Sequence, residues 1–110
     1  METSTQSFGS GLLTKVKLSG ALDAAGADKV YMSMRSAVAG DNDVAVDISE
    51  VTFISSQGVR LLITSAKAAA AAKRKFSLIG PNSSVAKVLS MMGVDIIIPI
   101  YKNIDAMPVE

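Results

Sequence analysis

The chain has 110 residues, 49% hydrophobic and 19% charged, with a net charge of +1 and neither Cys nor His. That length suits one compact domain able to bury roughly two-thirds of its unfolded surface without disulfides or metal, and so small a charge argues against a nucleic-acid or anionic-membrane surface. Without His and Cys there is no Ser-His-Asp or Cys-His arrangement, no usual zinc ligand set and no disulfide framework.

No run approaches the ~18 apolar residues of a membrane span, and the polar start Met1–Ser7 is no signal peptide. A cytoplasmic location is the expectation. One domain over residues 1–110 is expected, with 1–8 frayed or an edge strand and 103–110 a short tail.

Gly11–Leu18 alternates apolar and polar after Leu13, as a half-buried strand does. The weaker segment Thr5–Gly9 can pair with it through a Gly-Ser-Gly turn, and Ser19-Gly20 breaks the run. From Asp23, a fair N-cap, the period becomes helical, with Ala27, Val30, Tyr31, Met34, Ala37 and Val38 on one stripe and Gly40-Asp41-Asn42 as the stop. Val44–Ile48 is a short apolar run of the kind found in a central strand. A loop ending in Ser55-Ser56 follows, then a second helix with the stripe Val59, Leu62, Ile63, Ala66 and Ala70. Its alanine run Ala68–Ala72 is made of the strongest helix formers. Lys73-Arg74-Lys75 closes that helix, and is read as cations offsetting its negative end rather than as a binding patch.

Phe76–Ile79 is the next strand, stopped by Gly80-Pro81. Asn82 or Ser83 caps a third helix with Val85, Val88, Leu89 and Met92 inward, ended by Gly93. Val94–Ile100 is expected to contain the last strand with Pro99 at its end, and Asn103–Met107 offers at most one further helical turn. Met32, Met34, Met91 and Met92 are expected as core filler, although the adjacent pair Met91-Met92 cannot share one side of a helix. Strands alternating with helices imply an α/β fold: a mixed, mainly parallel sheet of four or five strands with helices packed on it.

Ser55 and Ser56 sit where a strand hands over to a helix N-terminus, where outward N–H groups and the helix dipole favour negative charge. Either serine can simply cap the helix. A phosphate would also be tolerated there and would change the surface a partner meets, so a switch fits better than a catalytic centre. A hydrolase using Ser56 with a lysine base is poorly supported, since no G-x-S-x-G elbow is present. No Walker-type glycine run suggests nucleotide binding, and no cofactor or metal is expected.

Four segments in order carry a family resemblance. Leu18-Ser19-Gly20-Ala21-Leu22-Asp23 resembles an L-x-G-x-L-D strand-to-helix motif, and Asp47–Val59 resembles D-L-S-x-V-x-x-I-D-S-S-G-L. Leu78–Leu89 resembles L-x-G-x-x-x-x-V-x-x-x-L, and Gly93–Asp105 a closing strand. Together they resemble the STAS domain of bacterial anti-sigma factor antagonists across the chain from Leu12. The resemblance implies a phosphorylation-switched binder, not an enzyme. Its partner would be a combined anti-sigma factor and serine kinase, which would use the ATP. The unphosphorylated form would hold that partner and the phosphorylated form would release it.

The resemblance places the acceptor on Ser56, with Ser55 as the alternative, and puts Asp23, Ser55, Gln57 and Gly58 on the kinase-binding surface. Asp23 has an equal reading as a plain cap, and Gly58 as a packing glycine. This chain departs from the motif in having Ser55 where the acidic residue stands, Gln57 where a second hydroxyl stands, and a short end at Pro108. No direct contact with nucleic acid, no membrane span, and a monomer or weak homodimer are expected. The other reading is a non-phosphorylated STAS subunit of a membrane transporter or lipid-transport complex.

Overall fold

A computed structural model describes residues 2–8, 13–40 and 42–103, the first of these segments as backbone only. In chain order the elements are β1 (Glu2–Phe8), β2 (Leu13–Leu22), α1 (Ala24–Ala39), β3 (Asp43–Ile54), α2 (Ser56–Ala71), β4 (Phe76–Ile79), α3 (Ser83–Met91), α4 (Val94–Ile97) and β5 (Ile100–Tyr101). The five strands lie side by side in sequence order. β1 runs antiparallel to β2, from Glu2 opposite Ser19 to Phe8 opposite Leu13. The other pairings are parallel. The expected edge strand and mainly parallel sheet are therefore present, while the Gly-Ser-Gly turn, Asp41 and residues 104–107 lie outside the described residues.

Every crossover from β2 onward moves one strand in the same direction. Right-handed connections then put all the helices on one face of the sheet. Val16, Leu18, Val44, Val46, Ile48 and Leu78 turn toward that face and meet Val30 and Met34 of α1, Leu62 of α2, and Val85 and Leu89 of α3 in one apolar cluster. These side chains are almost wholly buried, and burial at ~25 cal/mol per Å² of apolar surface is the main force holding the helices to the sheet.

Several expectations are corrected. β2 runs through Ser19-Gly20 to Leu22, because irregularities in its pairing with β3 absorb the glycine at φ 97°. Tyr31 is 45% exposed on the flank of the α1 stripe. On α2 the buried positions are Gly58, Val59, Leu61, Leu62, Ser65 and Ala69, while Ala70 faces solvent. Of the four methionines expected as filler only Met34 is core; Met32, Met91 and Met92 are exposed.

Helix α2 ends before its basic run. Lys73 takes the left-handed conformation at φ 61°, its N–H donating to the Ala70 carbonyl and that of Arg74 to the Ala69 carbonyl. This is the Schellman pairing usually closed by glycine.

Val94–Ile97, read as strand, forms instead the short helix α4 after Gly93 at φ 74°. The Ile98 N–H donates to the Val94 carbonyl at 2.8 Å. The last strand starts after Pro99, not before it, which suits a residue that cannot donate to a ladder.

Candidate functional site

The approach to Ser55 is strand, not loop. Between Lys17/Asp47 and Ser19/Glu50 the register gives β3 one extra residue, and between Gly20/Val51 and Ala21/Phe53 another. Each bulge leaves two successive side chains pointing outward: Ser49 with Glu50, then Thr52 with Phe53. That doubling breaks the two-residue period that marks a strand in a sequence.

Side chains hold both bulges. Asp47 Oδ1 accepts from the Ser49 N–H at 2.9 Å and hydroxyl at 2.7 Å, and Oδ2 lies 3.3 Å from Lys15 Nζ. Asn82 Nδ2 donates to the Val51 carbonyl at 3.0 Å, while its Oδ1 caps α3 by accepting from the Val85 N–H at 2.8 Å. A bulge frees a ladder carbonyl, and Asn82 satisfies it.

Burial pushes the Asp47 carboxyl up, but the two hydrogen bonds from Ser49, with Lys15 beside it, outweigh that effect and hold it below the ordinary carboxylate range. A depressed folded-state pKa means that Asp47 stabilises the fold above the unfolded value of ~3.9. That contribution is lost as pH falls through the folded value. Asp47→Asn is expected to cost ~1 kcal/mol at neutral pH, and the gap to wild type should narrow in acid, as pH falls from the unfolded value of ~3.9 through the lower folded one. Urea denaturation at neutral and acid pH checks this; a gap that persists undiminished in acid would contradict it.

The two helix starts are built alike. At the end of β2, Asp23 Oδ1 accepts from the Gly26 N–H at 2.8 Å and caps α1. At the end of β3, Ser55 Oγ accepts from the Gly58 N–H at 3.3 Å and caps α2. The Ser55 N–H donates to the Leu22 carbonyl at 3.0 Å, so the turns are tied side by side. Both glycines are required by space. A Cβ on Gly26 would lie 2.2 Å from the Ala21 carbonyl oxygen, and one on Gly58 2.3 Å from that of Leu22.

This geometry separates the adjacent serines. Ser55 is partly buried and occupied as the cap. Ser56, the first residue of α2, is exposed, and its hydroxyl donates to Gln57 Oε1 at 3.3 Å. No acidic residue stands in the first turn of α2, so an added negative charge would meet the positive helix end unopposed from within that turn. Asp23, Ser55, Ser56 and Gln57 thus gather at the C-terminal ends of the adjacent strands β2 and β3, while Gly58 is buried beneath them. Phe53, 55% exposed on the second bulge just before them, was missed by sequence reading. So was Gly26, although the shared spacing Asp23-x-x-Gly26 and Ser55-x-x-Gly58 was a usable signal. Among the described residues no group of three acidic side chains gathers as a metal site would require.

A family model described as "Mlab, STAS domain" matches residues 10–99. The chain belongs to the STAS domain family. Its fold is similar to that of a candidate anti-sigma factor antagonist from Thermotoga maritima, with TM-score 0.85 and 21% identity over 94% of this chain and 88% of that one. The Bacillus cell-fate determinant SpoIIAA in its phosphorylated form aligns with TM-score 0.70 and 17% identity over 96% of each chain. The murine anion transporter Slc26a9 aligns with TM-score 0.75 and 14% identity over 86% of this chain and 17% of the transporter. These likenesses concern the STAS fold. Among curated proteins no sequence matches. No helix among the described residues is long and apolar enough to cross a membrane.

Proposed function

We propose that this STAS domain is an anti-sigma factor antagonist. Unphosphorylated, it binds a partner that is both serine kinase and anti-sigma factor, and so relieves inhibition of a sigma factor or other output. Phosphorylated on Ser56, it lets go. The observation that carries the reading is the division of labour between the serines: Ser55 is engaged in capping, whereas Ser56 is exposed with only a Gln57 contact. A phosphate of roughly −1.5 to −2 charges on Ser56 would leave the cap intact while imposing a desolvation cost on any surface packed there. Asp23, Ser55 and Gln57 would form the rest of the contact, with Gly58 shaping it from below. The chain acts as substrate and binder, in the cytoplasm, as a monomer or weak homodimer, and the partner consumes the ATP. It has no catalytic centre or cofactor of its own and does not touch nucleic acid.

The test is incubation with ATP and the candidate kinase, followed by mass spectrometry. Phosphate on Ser56, absent from Ser56→Ala, is the expected result. Phosphate on Ser55 would reassign the site, and none on either serine would sink the switch.

A second reading is favoured by the description of the matching family model and by the transporter with the same fold. In it the chain is a non-phosphorylated STAS subunit of a membrane transporter or lipid-transport complex. It predicts stable co-purification with an ATPase or permease and indifference to substitution at Ser56.

A further inference from the structure

Helices α1 and α2 follow neighbouring parallel strands and lie alongside each other on the sheet. A groove of about 590 Å³ runs between them, away from the sheet. It extends from Ala24 to Val38 on α1 and from Gln57 to Ala68 on α2, so it is ~20 Å long at ~1.5 Å per helical residue. Its buried lining is Ala27, Val38, Leu61 and Ser65, the Ser65 hydroxyl donating to the Leu61 carbonyl at 2.8 Å, while Ala24 and Ala68 are exposed at its rim. Small floor residues let the ridge of another helix come close. A trough of this length and shape suits a helix better than a compact ligand.

Charge narrows the occupant. Arg35 rises from the α1 wall and Arg60 from the α2 wall, both exposed. Neither forms an ion pair among the described residues; Arg35 has only a 3.4 Å contact from Nη1 to the Tyr31 hydroxyl. Leu22 is in register with Ile54, so the caps Asp23 and Ser55 stand level. Arg35 is the twelfth residue after its cap and Arg60 the fifth after its own. They are therefore seven residues apart along the groove, or ~10 Å. Two carboxylates separated by seven positions on one helix have the same spacing. Asp28 of α1 also lines the groove, level with Arg60, and would oppose the carboxylate at that end.

We infer that the α1–α2 groove is a docking site for an acidic amphipathic helix of a protein partner, which seats an apolar face over Ala27, Val38 and Leu61 and places carboxylates seven residues apart on Arg35 and Arg60. The inference stands whether or not Ser56 is phosphorylated.

The probe is a fluorescein-labelled helical peptide of about four turns, with Leu and Ala on one face and two Glu seven positions apart. Fluorescence anisotropy with the full chain should give saturable binding that weakens as salt rises. Arg35→Glu and Arg60→Glu should each weaken it, the first by about tenfold, and Asp28→Asn should tighten it. A peptide with Lys in place of both Glu should recover binding to the doubly reversed protein. These three side chains are exposed, and circular dichroism is to be run on each variant to check that it is folded. Absence of saturable binding, indifference to both arginine reversals, or loss of binding in Ile96→Asp would overturn the inference. The last result would move the contact to the exposed apolar surface of α3 and α4.

Discussion

Gly58→Ala is expected to lower the melting temperature by ~10–20 °C, corresponding to ~2–3 kcal/mol. The added methyl would stand 2.3 Å from the Leu22 carbonyl oxygen, 2.9 Å from Leu22 Cγ and 3.0 Å from Ile54 Cγ1. The nearest of these is backbone, already accepting a hydrogen bond from Ser55, so no rotamer change relieves the clash. Either α2 lifts from the sheet, losing burial of Val59 and Leu62, or β2 shifts and breaks the tie between the two helix starts. For a domain whose total stability is of the order of 5–15 kcal/mol, that is a large fraction. Gly40→Ala is the internal control. Gly40 has φ −75°, and its nearest neighbour to an added Cβ is the Ala37 carbonyl oxygen at 3.4 Å; a change within ~0.5 kcal/mol is expected. Thermal unfolding followed by circular dichroism decides the matter, and Gly58→Ala melting with wild type would refute the close-approach argument.

Gly58 also shows what the sequence can and cannot reveal about this fold. Its motif was legible, but whether it served a phosphate or helix packing depended on a strand 36 positions earlier in the chain, at Leu22. The caps Asp23 and Asn82 were readable because capping is local: a side chain reaches an N–H three residues on. The end of β3 was not, because each bulge adds an outward residue and erases the alternation, leaving Ser49–Ile54 with the look of a loop. Val94–Ile98 failed for the opposite reason. Its β-branched run has strand propensity, but left-handed Gly93 starts a helical turn, and burial of Val94 and Ile98 suits that turn. The sequence put Ser55–Gly58 at a helix start, and the structure has them at the start of α2. The separate roles of Ser55 and Ser56 needed the direction of one hydroxyl. The groove walls Arg35 and Arg60 carried no sequence signal, since two surface arginines on different helices become neighbours only through the β2–β3 register.

Ser56→Asp is expected to abolish partner binding, with at least a tenfold loss of affinity or ~1.4 kcal/mol, while leaving the fold as stable as wild type or slightly more so. Ser56 is the first residue of α2, a turn without acidic side chains, and a carboxylate there gains ~0.3–1 kcal/mol from the helix dipole. The same carboxylate buried against a partner must shed water without a matched cation, which costs more than the dipole returns. Ser55→Ala should do the reverse. It removes the acceptor of the Gly58 N–H and should cost ~1 kcal/mol of stability, yet leave Ser56 exposed and binding within a few-fold of wild type. Melting temperature and pull-down measured on both variants therefore form a crossed pair: Ser56→Asp loses binding and keeps stability, whereas Ser55→Ala loses stability and keeps binding. Binding retained by Ser56→Asp would exclude Ser56 as the switch and favour the transporter-subunit reading. Binding lost in a stably folded Ser55→Ala would make Ser55, not Ser56, the dominant contact.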